Sequence, residues 1–349
     1  MASLLMVILG LTILAACLYD FALTTFLASG QGPITAKINH IVYQIFFNAA
    51  GKKATHPLLK YVGIAIIFSI IFVWVSLLWI GLLIIFSAFP DSVLNGQTKE
   101  ATDVIEKFYF VGFTLSTLGV GDFIPGNDIW RAITAFCAFL GLITITTSIT
   151  YLVPVLSNAV HKRSLAMQIS DLGATPEQIV INSFNGKDFS EISTQLANLT
   201  PEIHTYIQNQ LAYPVLHHMH ANNHSENIVL QFSKLDEALS IFILHVPVEL
   251  QPQRLELQLT RRALTSYFEA VSYMKFTEKA PPLPDFELIQ NKIGNTLEYT
   301  ANPQEKYKLL SRRRKLLYSN LISDGWQWDD LYNQEYSTDF DIEFARSLL

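Results

Sequence analysis

The chain has 349 residues, half of them hydrophobic and only 15% charged, with a mean hydropathy of +0.28. That is too apolar for an ordinary soluble domain and implies membrane segments joined to a soluble part. The formal net charge of −6 makes no case for nucleic acid. Cys17 and Cys137 both lie in apolar runs, which points away from a disulfide framework or a cysteine zinc site.

Residues 1–29 hold the first apolar run, long enough to span a bilayer. A signal peptide would need a basic leader, yet no Lys or Arg precedes Lys37, so a retained helix is expected. Asp20 reads either as a snorkelling end residue, which base rates favour, or as a polar contact inside the bundle. In residues 30–57, Gly30-Gln31-Gly32-Pro33 breaks the helix. Ile34, Ile38, Ile41, Val42, Ile45 and Phe46 then recur at helical spacing. This amphipathic helix is too short to span. It lies in the membrane interface or packs against the soluble domain.

Residues 58–157 read as an outer helix (58–89), a polar linker, a short helix (103–116), an extended stretch (117–122) and an inner helix (129–157). In the extended stretch Gly119 and Gly121 alternate with Leu118 and Val120. Glycines at alternate positions allow φ values closed to other residues, so successive carbonyls can point the same way. Carbonyls aligned in that manner can replace the hydration shell of a monovalent cation. The competing reading is a glycine-rich turn between two membrane helices. On the inner helix, Leu142, Ile145, Ile149 and Val153 are candidates for an apolar lining that gates by dewetting. Thr144, Thr146, Thr147, Ser148 and Thr150 need water, neighbouring backbone or their own helix carbonyls. Pro154 marks a kink or the helix end.

Lys37, Lys52, Lys53 and Lys60 lie in the first loop, and His161-Lys162-Arg163 follow the inner helix, whereas Lys99 and Lys107 are mixed with acids. The positive-inside rule then places the N-terminus outside and the C-terminal region in the cytoplasm, with the extended stretch entering from outside.

The segment Thr114-x-x-Thr117-Leu118-Gly119-Val120-Gly121-Asp122, followed by Phe123-Ile124-Pro125, resembles the potassium-channel pore signature TxxTxGYGD. The resemblance covers roughly Tyr61 to Ser157. It implies a tetrameric pore module over that stretch, in which the helix over 103–116 aims its partly negative end at a central cavity. With the apolar run over 1–29 and the polar region over 158–349, the expected fold is an all-α membrane protein with an extra N-terminal transmembrane helix and a mostly helical cytoplasmic domain. The resemblance also implies ion sites at Thr117, Leu118, Gly119, Val120 and Gly121, with filter support from Tyr109, Phe110 and Asp122. Gly141 falls where the family's hinge glycine does; a small residue for close helix packing is the alternative. Val120 departs from the family, which has Tyr or Phe there, and it reads as mutually adjusted with Phe110.

After Val160 the chain turns polar. Thr175-Pro176-Glu177 and Thr200-Pro201-Glu202 read as helix starts. Gln178 to Asn182 is a candidate strand. Helices are expected over 227–246, 254–273, 286–291 and 303–323, with a rigid connector at 280–284 and an acidic tail. No GxGxxG follows a strand, which argues against a dinucleotide-binding domain. His217, His220 and His224 are weak metal candidates, against a pH-sensitive or simply packed helix end. Arg312-Arg313-Arg314-Lys315 reads as a solvated face, or as a contact for anionic lipid.

The expectation is therefore a multi-pass channel of a bacterial inner (plasma) membrane, not an enzyme. It works as a homotetramer in lipid, conducts potassium ions without a cofactor, and has no nucleic-acid partner and no identified regulatory ligand. The rivals are a weakly selective cation channel and a membrane-anchored sensor or scaffold with a silent pore.

Overall fold

The computed structural model describes residues 1–27, 30–270, 281–294 and 303–332. The expected acidic tail, residues 271–273 of the expected helix and Ala280 of the connector lie outside them. The described residues are mostly helical, and three helices are long and apolar enough to cross a membrane: Ala2–Phe26, Pro57–Ser87 and Asp128–Ser170. The chain divides into two compact units. One comprises Met1–Ile45, Tyr61–Ser157 and Ala212–Met219; the other comprises Phe46–Lys60, Asn158–Leu211 and His220–Leu349.

In the first unit α1 (Ala2–Phe26) packs along α3 (Val62–Ser87), with α2 (Pro33–Ala49) between them in sequence. Asp20 decides how α2 starts. It is fully buried and accepts from the Ile34 and Thr35 amides at 2.6 and 3.2 Å, the Thr35 hydroxyl at 2.7 Å and Trp74 Nε1 at 2.9 Å. The orphan amides of the first turn of α2 thus find their acceptor on α1 rather than on a neighbouring cap. Asp20 is an interior contact, not a snorkelling end.

The linker after α3 is not a featureless loop. Strand β1 (Val93–Asn95) pairs antiparallel with β2 (Phe123–Pro125), in the register Val93–Pro125 and Asn95–Phe123. This small sheet is the exception to an all-helical reading. Between its strands lies α4 (Val104–Leu115), whose Lys107 is 3% exposed. Its ammonium donates to the carbonyls of Phe86, Phe89 and Pro90 at 3.3, 2.8 and 3.3 Å, at and just beyond the C-terminal end of α3. A lysine that reads as a loop charge is a helix-end cap.

Helix α5 (Asp128–Ser170) runs past the expected end at 157 and through Pro154. Its last part belongs to the second unit, where Leu165, Ala166 and Ile169 join the core. There α6 (Pro176–Asn182) begins at Thr175, whose hydroxyl accepts from the Gln178 amide at 3.1 Å. The expected strand at Gln178–Asn182 is therefore helix. Helix α7 (Ile192–Ala212) passes through Pro201, so Thr200-Pro201-Glu202 is not a start. The buried stripe Leu196, Leu199, Ile203, Tyr206 and Ile207 is continuous across the proline and outweighs its penalty of about 3 kcal/mol.

At the centre lies α8 (Ile228–His245), buried almost throughout. It packs against α6, α9 (Arg254–Ala270) and α12 (Ser311–Ser323), and its last residue, His245, meets the rings of Phe286 in α10 (Phe286–Ile293) and Tyr307 in α11 (Pro303–Lys308). The expected single helix over 303–323 breaks at Leu309 and Leu310. Arg313 grips Asp236 of α8 at 2.5 Å, Arg261 meets the same carboxylate at 2.8 Å, and Arg314 Nε donates to Glu237 at 2.9 Å. Arg313 and Arg314 are thus turned inward. The basic run is neither a solvated face nor a lipid contact at these two positions.

Asp324 follows α12 and faces His220 at 3.4 Å and Asn227 Nδ2 at 3.0 Å. Burial raises its carboxyl, but His220, Lys162 and Asn227 outweigh this and hold it at about 2, below the ordinary 3.8. A depressed folded carboxyl contributes fully above about pH 4, and the contribution disappears as pH falls towards 2. The expected loss from this group is about 2 kcal/mol across that window. Denaturant titrations of the full chain at pH 4 and pH 2 check it, and Asp324→Asn is expected to flatten the difference.

Candidate ion-conduction site

The short helix that aims at the extended stretch is fixed at both ends. At its start Asp103 and Glu106 form a reciprocal cap, each carboxylate accepting from the other residue's amide at 2.8 Å. The spacing Asp-x-x-Glu carries this signal in the sequence. At its end the chain turns out of the helix through Thr117 N–H to Thr114 C=O at 3.0 Å and Leu118 N–H to Phe113 C=O at 2.9 Å.

From there the backbone alternates. Thr117, Gly119 and Gly121 have φ of +58°, +58° and +88°, while Leu118 and Val120 have negative φ. Backbone that alternates the sign of φ in this way can turn successive carbonyls to the same side. Thr117 holds this conformation without being glycine, at a cost of about 1–3 kcal/mol. Such strain marks a backbone held for a purpose beyond packing.

The backing of residues 117–122 comes largely from one aromatic cluster. Phe110, only 1% exposed, lies edge-on to Phe86 at 5.5 Å and Phe113 at 5.2 Å, and Trp130 covers Phe86 at 5.0 Å. Trp79 stacks on Phe108 at 4.6 Å and donates to its carbonyl at 2.9 Å, tying α4 to α3. Tyr109 is hydrogen-bonded to Asp122 and sets its ring edge against Phe113. Phe110 and Val120 are not brought together within one chain: the first is buried, while Val120 is 51% and Leu118 69% exposed. A cavity of about 270 Å³ lies behind the strand, lined by Phe110, Phe113, Thr114, Gly119, Gly121 and Thr134 among others. The Thr114 hydroxyl is buried and has no hydrogen-bond partner in its own chain.

The outer end is clamped by the small sheet. Gly96 N–H donates to Asp122 C=O at 2.7 Å, and Gly126 N–H donates to Ser92 C=O at 3.1 Å. On α5, Gly141 sits so close to the Leu115 carbonyl that a Cβ there would overlap it. Leu142, Ile145, Ile149 and Val153 present exposed side chains on one stripe, whereas Gly141, Thr144 and Ser148 are buried. The hydroxyls of Thr144, Thr146, Ser148 and Thr150 return to carbonyls four residues back, so none needs a partner in lipid.

The histidines are occupied otherwise. His220 Nε2 meets the Ala54 carbonyl at 2.8 Å and its ring stacks on Trp326, while His217 and His218 belong to the other unit. His224 reaches Asp330 only at 3.9 Å. Among the described residues no group of three metal-capable side chains forms.

Residues 70–158 match a protein family described as an ion channel. Over 325 residues the chain is 33% identical to a Bacillus subtilis (strain 168) protein named as the uncharacterized membrane protein YdjJ, covering 92% of this chain and 94% of that one. No solved structure matches.

Proposed function

We propose that this chain, which belongs to the family of membrane proteins that includes YdjJ and carries an ion-channel domain over residues 70–158, conducts potassium ions passively through rings of backbone carbonyls. The observation that carries the reading is the alternation of positive φ at Thr117, Gly119 and Gly121. Four copies close the pore, since each chain supplies a single pore loop. The exposure of Leu118 and Val120 in a lone chain supports a neighbour covering them. The carbonyls of Thr117, Leu118, Gly119 and Val120 form the ion sites, and Leu142, Ile145, Ile149 and Val153 line the inner path. The N-terminus lies outside a bacterial plasma membrane and the second unit in the cytoplasm.

A second reading, a weakly selective cation channel, draws on Val120, which lacks the aromatic ring and hydroxyl of the pore signature. Reversal potentials of reconstituted protein under opposed potassium and sodium gradients separate the two. A shift towards the potassium equilibrium potential is expected, smaller in wild type than in the double variant Phe110→Trp/Val120→Tyr. Equal permeability for both ions overturns the potassium reading, and a complete absence of barium-sensitive flux supports a silent scaffold.

A further inference from the structure

The loop between α2 and α3 is expected from sequence to be a simple cytoplasmic connection, yet residues 46–60 group with the second unit and are held there by backbone contacts. The Ala54 amide donates to Gly325 C=O at 3.2 Å, and His220 Nε2 meets the Ala54 carbonyl at 2.8 Å. Asn222 Nδ2 donates to the carbonyls of Thr55 and His56 at 3.2 and 2.6 Å. Ala54 is 2% exposed and part of the hydrophobic core. Gly325, at φ +86°, leaves no room for a side chain, because a Cβ would lie 2.9 Å from the Ala54 nitrogen. Residues 54–56 are thus gripped on both backbone edges by two segments distant in sequence, 220–222 and 324–326.

We infer that this grip is the element through which the second unit sets the state of the pore. The loop leads within a few residues into the turn at Pro57–Tyr61 and then into α3. Helix α3 is in turn fastened to α4: Lys107 caps its end, and Trp79 holds the Phe108 carbonyl. A displacement of residues 54–56 therefore reaches the filter through one rigid helix and two side-chain bonds. This is a contiguous physical path whose switchable part is the loop, gripped or released. In the structure the gripped loop occurs together with the positive φ at Thr117, Gly119 and Gly121, so release is expected to lower conduction. The inference rests on the channel reading for its functional consequence, but not for the mechanical one.

The test uses the full chain in lipid nanodiscs and in liposomes, with Asn222→Asp as the variant. The change is isosteric and sets a carboxylate against two carbonyls in place of a donor. Asn222→Ala checks that loss of the donor, rather than added charge, is responsible. Amide hydrogen exchange at Ala54 is expected to accelerate at least tenfold, exchange at Thr117 and Leu118 at least threefold, and potassium flux to fall at least threefold. Acceleration confined to residues 54–57, or fast exchange there with flux unchanged or raised, overturns the inference. If the wild type carries no flux, conduction fails as a reading, while exchange at Thr117 and Leu118 still decides the coupling.

Discussion

Arg314→Met is expected to destabilise the second unit by about 3–5 kcal/mol at pH 7. The guanidinium pairs with Glu237, lies 4.8 Å above the Tyr307 ring and donates to the carbonyls of Pro281 and Pro282. Removing it strands a carboxylate that has no access to water. Burial already pushes the Glu237 carboxyl up to about 6 against the pull of Arg314, so the pair is closely balanced rather than strongly stabilising. Two further results follow from that balance. The double variant Glu237→Met/Arg314→Met is expected to recover most of the loss, because no unpaired charge is left inside. The penalty of the single variant is expected to shrink as pH falls from 8 towards 5. A raised folded carboxyl then takes up a proton that the unfolded one, near 4.5, releases. Denaturant titrations of both variants at three pH values check all of this, and a double variant no more stable than the single would refute the account.

Gly119→Ala is expected to cut potassium flux to below about 1% of wild type, with the chain still folded and assembled. Nothing lies within 4 Å of where the new Cβ would sit in its own chain, so the defect is conformational rather than steric. An L-residue at φ +58° costs about 1–2 kcal/mol, and in a fourfold ring the cost is met four times, about 4–8 kcal/mol in all. A strand that relaxes to negative φ turns the carbonyl away from the ion path, and the site is lost. Flux in liposomes, compared with the variant's melting temperature and elution volume, checks the expectation. Undiminished flux would remove the ion-coordinating role assigned to Thr117–Gly121.

The parts legible in the sequence are those set by neighbours along the chain. Apolar runs locate α1, α3 and the first part of α5 because a run must cover the bilayer's thickness, whereas the far end of α5 is set by the second unit's core. The Gly119–Gly121 alternation locates the filter because φ is a property of single residues. What stayed hidden depends on partners far away. Asp20 is capped into α2 and meets Trp74, 54 positions on. Arg313 and Arg314 find acids 77 positions earlier. Lys107 looks like a surface charge until the end of α3 is placed beside it. At Pro201 and Gln178–Asn182 a buried apolar stripe overrides local propensity, which is worth less than the packing. The Asp103–Glu106 cap is a different case, since its signal is local and lies in the spacing itself.

The contact between Gly141 and the Leu115 carbonyl has a further consequence. A bend of the inner helix at Gly141 cannot be made without moving the last residue of the pore helix, two positions before Thr117. On the channel reading proposed above, opening along α5 and a change of shape at residues 117–121 are then one motion, and a bulkier residue at 141 is expected to alter ion preference and opening rate together.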